Sequence, residues 1–73
     1  MNPGDLVKPM SYLAYIYENI SGQSRHIDYI TEKSVAVVLD KPIDTPEGYR
    51  YVKVLTSDGI IGWITVPSLR IIS

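Results

Sequence analysis

Residues 49–64, YRYVKVLTSDGIIGWI, constrain the fold more than any other stretch of the chain. Two runs rich in Val, Ile, Tyr and Trp flank Ser57, Asp58 and Gly59. Branched and aromatic side chains suit a pleated, half-buried surface, and Asp-Gly between two such runs is a strong hairpin signal. Two loop lengths give two registers. If Asp58-Gly59 alone forms the turn, Trp63 faces Val54 and joins the core. If Ser57, Asp58 and Gly59 form a three-residue loop with glycine in a bulge, pairing shifts by one residue. Ile64 then joins Val52 and Val54 inside, and Trp63 lies beside Lys53, with Tyr51 and Leu55 nearby. A one-residue slip exchanges the faces of a strand, so the two are exclusive. The second gives the cleaner aliphatic core and is the one expected, with Gly59 at positive φ.

The chain has 73 residues, room for one domain spanning 1–73. A domain of this size buries only ~60% of the surface its unfolded chain exposes, so its core is thin. Cysteine is absent and there is one histidine, which excludes a disulfide framework and a zinc cluster. Seven Lys and Arg stand against eight Asp and Glu, a net charge of −1 with no basic block. That balance argues against nucleic acid and against an anionic membrane surface. No apolar run approaches the ~20 residues of a membrane span. The first residues lack the charged start and apolar core of a signal peptide, so a cytoplasmic location in the producing or host cell is expected.

Pro3-Gly4-Asp5 reads as a turn leading into a strand over 5–10, with Pro9 ending it or sitting on a sheet edge. Residues 11–33 support two readings. Leu13, Ile16, Tyr17 and Ile20 make a helical stripe, with Ser11 as cap and Gly22 at the C-terminal position, implying a short helix within 12–20. Tyr12, Tyr15, Ile16 and Tyr17 favour strands instead, with 20–24 as the tip of a long hairpin returning through 27–30. Residues 34–40, SVAVVLD, read as a central strand covered on both faces, and 41–48 as an exposed loop. Residues 65–69 turn the chain through a single 3₁₀ turn, and 70–73 form a short closing strand. Five short strands separated by turn signals suggest a small barrel or sandwich.

The close of the chain resembles that of an SH3 domain. Gly59-Ile60-Ile61-Gly62-Trp63-Ile64 and Pro67-Ser68-Leu69-Arg70-Ile71-Ile72 match a Gly-aromatic-aliphatic strand, Pro-Ser, a 3₁₀ turn and a last strand. Gly4-Asp5-Leu6-Val7-Lys8 and the strand Val35-Ala36-Val37-Val38-Leu39 resemble short SH3-like proteins encoded by bacteriophages. The resemblance implies a five-stranded SH3-like barrel in which 11–33 is the long first loop, and it favours the hairpin reading there. It also implies a phage accessory or virion protein. The Ala-Leu-Tyr-Asp-Tyr run of eukaryotic SH3 domains is missing, Leu69 stands where they carry tyrosine, and Tyr49-Arg50-Tyr51 replaces their tandem tryptophans. A proline-peptide groove is therefore not implied.

The aromatic residues Trp63, Tyr51 and Tyr49, with Lys53, form the expected partner surface, because Tyr and Trp offer large rigid contacts with a polar tip. In SH3 domains acidic residues of the first loop often receive a ligand arginine, which makes Glu18, Asp28 and Glu32 the corresponding candidates by region. Asp40, Asp44 and Glu47 lack the alternate-residue spacing of a calcium loop. His26 is alone, and no phosphate loop, paired catalytic carboxylates or cofactor fingerprint occurs. The expectation is a non-catalytic protein-interaction module with no cofactor or metal. Two other classes compete with it. One is a nucleic-acid-binding barrel of the KOW, Tudor-like or Sm-like kind using Lys8, Arg25, Arg50, Lys53 and Arg70. The other is self-association through a strand edge near Pro9 or 70–73.

Overall fold

The computed structural model describes residues 1–21 and 24–73 and is all-β. Its strands are β1 (Leu6–Pro9), β2 (Leu13–Tyr17), β3 (His26–Thr31), β4 (Ala36–Val38), β5 (Ile43–Asp44), β6 (Arg50–Thr56), β7 (Ile61–Thr65) and β8 (Leu69–Ile71). A 3₁₀ turn, Val66–Ser68, joins β7 to β8. Every pairing is antiparallel, in the order β3-β2-β7-β6-β4-β1-β8, with β5 on β6 beyond the end of β4. Among the described residues there is no α-helix, and nothing long and apolar enough to cross a membrane as one.

The central hairpin takes the three-residue loop. Val52 pairs with Ile64 and Lys53 with Trp63. The Thr56 N–H donates to the Ile60 carbonyl at 2.9 Å and the Gly59 N–H to the Thr56 carbonyl at 3.0 Å, with Gly59 at φ 86°. The Thr56 hydroxyl accepts the Ile60 N–H at 3.1 Å and so satisfies the donor that the bulge strands.

Three expectations are corrected. Among the described residues the sheet has eight strands rather than five, and its end strands β3 and β8 do not pair, so it is open rather than a closed barrel. Residues 12–20 hold no helix. Ala14 and Ile16 are buried while Tyr15 between them is exposed, a period of two, and pairing with β3 gives the β2 backbone its partners. β4 is covered on one face only, because Val37 is half-buried between Leu6 and Leu55. The helix-ending role of Gly22 lies outside the described residues. Pro9 sits on β1 past the β4 pairing, opposite Leu69, where a missing N–H costs no second ladder.

The core is one face of this one sheet: Val7, Ala14, Ile16, Ile30, Ala36, Val38, Val52, Val54, Ile64 and Leu69. A lone sheet can bury a face only by curling over it. The Cα extents of 30 × 22 × 21 Å fit that, since a flat layer would be far thinner in its least dimension. The Lys8 ammonium, on β1, donates to the Glu32 carbonyl just past β3 at 2.9 Å and ties the curled ends together. Where β2 crosses β7 the backbones come close, and Gly62 provides the room. A Cβ there would overlap the Ile16 Cγ2 methyl.

Candidate functional site

The outer face of the sheet carries cross-strand rows, because directly opposed residues share a face. One row is Lys53, Trp63, Tyr17 and His26 across β6, β7, β2 and β3. Beside it runs Ile43, Tyr51 and Thr65 across β5, β6 and β7. On the other side runs Leu6, Val37, Leu55 and Ile61 across β1, β4, β6 and β7. The hairpin register thus decides that Trp63 faces outward, half-buried, while Ile64 is wholly buried.

Tyr49 reaches this face through a turn that repeats the central hairpin. Thr45-Pro46-Glu47-Gly48-Tyr49 is built like Thr56-Ser57-Asp58-Gly59-Ile60. The Thr45 N–H donates to the Tyr49 carbonyl at 2.8 Å and the Gly48 N–H to the Thr45 carbonyl at 3.0 Å. The Thr45 hydroxyl accepts the Tyr49 N–H at 3.1 Å, and Gly48 sits at φ 92°. Residues 41–48, expected as a plain loop, therefore contain strand β5 and a hairpin turn. The threonine-x-acid-glycine pattern shared by the two turns was the signal available in the sequence. Across the β5–β6 pair, Arg50 grips the Asp44 carboxylate through Nε at 2.7 Å and Nη2 at 3.2 Å. That contact holds the Asp44 carboxyl below its usual range. It also takes Asp44 out of any cation site with Asp40 and Glu47.

These elements enclose a cleft of about 220 Å³ lined by Tyr17, Ser21, Ser24, Tyr49, Tyr51 and Thr65. The Tyr17 and Tyr51 rings lie 6.3 Å apart at 86°, edge to face, and Tyr49 and Tyr51 lie 6.3 Å apart at 57°. Tyr51 is only 7% exposed yet stands outside the aliphatic core, so it forms the floor, and the more open Tyr49 forms a wall. His26 extends the aromatic belt, 4.6 Å from the Tyr15 ring and 6.5 Å from the Tyr17 ring. Burial raises the Tyr51 phenol above its ordinary pKa, and the neighbouring Tyr17, Tyr49 and Glu47 add to the rise.

The expected surface is rearranged. Trp63 and Lys53 stand beside the cleft rather than in it, with the Lys53 ammonium 5.9 Å from the Trp63 ring centroid. Tyr51 is floor rather than exposed centre. The three acidic candidates are not gathered. Glu18 is at the cleft end of the β2–β3 hairpin, where its N–H donates to the Arg25 carbonyl at 3.1 Å. Asp28 lies opposite Ile16, on the face away from Tyr17, and its carboxylate accepts the Tyr29 N–H at 2.7 Å. Glu32 lies at the far end, on Lys8. The sequence offers Tyr17, with Tyr12 and Tyr15, among its aromatic candidates without marking it as a wall of the cleft; it offers Glu47 only beside Asp40 and Asp44, and it gives no sign of Thr65. Comparison with family models, with curated proteins and with solved structures gave no match for this chain.

Proposed function

We propose that the chain is a non-catalytic protein-interaction module on a curled, open sheet with an SH3-like succession of strands, and that the tyrosine cleft is its contact surface. The strand sequence supports the framework: a first strand, a long hairpin excursion, a strand, a loop, a hairpin, a 3₁₀ turn and a last strand beside the first. The observation that carries the function is the cleft, where three tyrosines from two separate hairpins converge on the outer face. The aliphatic cluster forms without these rings, and Tyr17 and Tyr49 keep part of their surface open to the cleft. Rigid aromatic surface with polar tips is the usual chemistry of a protein contact.

Selection from a random peptide display library, followed by ¹⁵N chemical-shift mapping of the best peptide, tests this reading. Shifts confined to Tyr17, Tyr49, Tyr51 and Thr65, lost in Tyr49→Ala, are the expected result. No enrichment over an unrelated protein, or shifts centred elsewhere, would overturn it. Salt-dependent micromolar binding of single-stranded RNA would favour the nucleic-acid class instead.

A further inference from the structure

We infer that the group the tyrosine cleft accepts is an alkylated ammonium cation carried by the partner. The inference rests on the cleft being the contact surface and adds the chemistry of what enters it. Among the described residues the lining is tyrosine and hydroxyl, with no Lys, Arg, Asp or Glu. Aromatic rings attract cations through their quadrupole, and steeply inclined neighbouring rings present that attraction from more than one side. Tyr17, Tyr49 and Tyr51 are inclined in this way.

The hydroxyls narrow the choice. Ser24 Oγ already accepts the Asn19 N–H at 3.0 Å and lies 3.4 Å from the Arg25 carbonyl. Thr65 Oγ1 is bonded to Ser68 Oγ at 2.7 Å. A guanidinium or primary ammonium would bring donors needing acceptors, and a guanidinium fork is best met by a carboxylate, which the lining lacks. A quaternary or fully methylated ammonium has no donors to satisfy and carries its charge on a rounded apolar surface. It matches a site that offers ring faces and, among the described residues, no carboxylate.

Charge points the same way. Among the described residues no cationic side chain lines the cleft; Arg50 nearby is committed to Asp44, and the Lys53 ammonium beside it lies over the Trp63 ring. Of the groups that act on Tyr51 beyond burial, the Glu47 carboxylate is the one charged at neutral pH, and it favours positive charge there.

The test is an NMR titration of the full chain with choline chloride. The control is its neutral isostere 3,3-dimethylbutan-1-ol, at ionic strength matched with sodium chloride. Choline is expected to shift Tyr17, Tyr49, Tyr51 and Thr65 saturably, with the isostere at least about five-fold weaker. Tyr49→Leu should weaken choline by a similar factor, and Ile61→Thr, outside the cleft, should not. Equal binding of choline and isostere would overturn the cation claim while leaving the contact surface standing. No saturable shift with choline would overturn it as well. The peptide selection above judges the contact surface separately.

Discussion

Replacing Gly62 by alanine tests the close crossing of β2 over β7. The added methyl would overlap Ile16 Cγ2 and lie 3.0 Å from the Tyr17 carbonyl oxygen. Ile16 is wholly buried and the carbonyl is backbone, so neither can swing aside. Overpacking of this kind costs about 1–3 kcal/mol. A 73-residue domain has about 4–11 kcal/mol in total at typical per-residue stability. The variant should melt roughly 4–24 °C lower, at about 4–8 °C per kcal/mol for a domain of this size. Urea denaturation followed by Trp63 emission, with a parallel thermal melt, measures the change. A second substitution sharpens the reasoning. Ile16→Leu moves the branch away from Cβ and removes Cγ2, at under about 1.5 kcal/mol by itself. In the double variant part of the Gly62→Ala loss should return, as a coupling of about 0.5 kcal/mol or more. The Tyr17 carbonyl keeps the rescue incomplete. An unchanged midpoint for Gly62→Ala, or strict additivity in the cycle, would refute the steric account.

Gly59→Val should cost about 1–3 kcal/mol in chemical denaturation, wholly from the backbone, because a Cβ there meets nothing within 4 Å. Gly59→Asn should cost less, since asparagine tolerates positive φ, and equal losses would contradict that origin. Ile64→Ala should lose about 2–5 kcal/mol and Trp63→Ala about 1 kcal/mol or less, with red-shifted, readily quenched tryptophan emission in the parent. The reverse ranking would place Trp63 in the core. The folded Tyr51 pKa is raised, so its contribution to stability is whole below the unfolded value of about 10 and is lost as pH rises through the folded value. Ultraviolet titration should show one late-ionising tyrosine that vanishes in Tyr51→Phe. Its persistence in that variant would assign the shift to another residue.

The β6–β7 hairpin was legible because its turn chemistry and its alternation agree. Thr56 and Gly59 close the loop, and Val52, Val54 and Ile64 fall on one face only in the observed register. The neighbouring hairpin uses the same turn but hides it. Pro42 and Pro46 read as loop residues, although a proline after Thr45 suits the first loop position, where φ near −65° is wanted. Residues 11–33 were ambiguous because Leu13, Ile16 and Tyr17 satisfy a helical stripe while Ala14 and Ile16 satisfy a strand. Partner strands decide such cases, and β3 and β7 are set by the whole fold. The cleft was less legible still. Tyr17 meets Tyr51 only because β2 lands beside β7, and no local pattern in either segment records that meeting.

Among the described residues, one register pair, Tyr17 with Trp63, joins β2 to β7, whereas β2 and β3 are paired along most of their length. The β2–β3 hairpin therefore has few backbone pairings to the rest of the sheet and is held mainly by Ala14, Ile16 and Ile30 in the core, and sub-global opening should begin there. Its amides should exchange with solvent deuterium ahead of those in β6 and β7. Opening would also carry Tyr17 away from Tyr49 and Tyr51, so the binding-competent state is the closed fraction of this equilibrium. Anything bound against all three rings must then slow exchange along Leu13–Tyr17, at a distance from most of the atoms it touches.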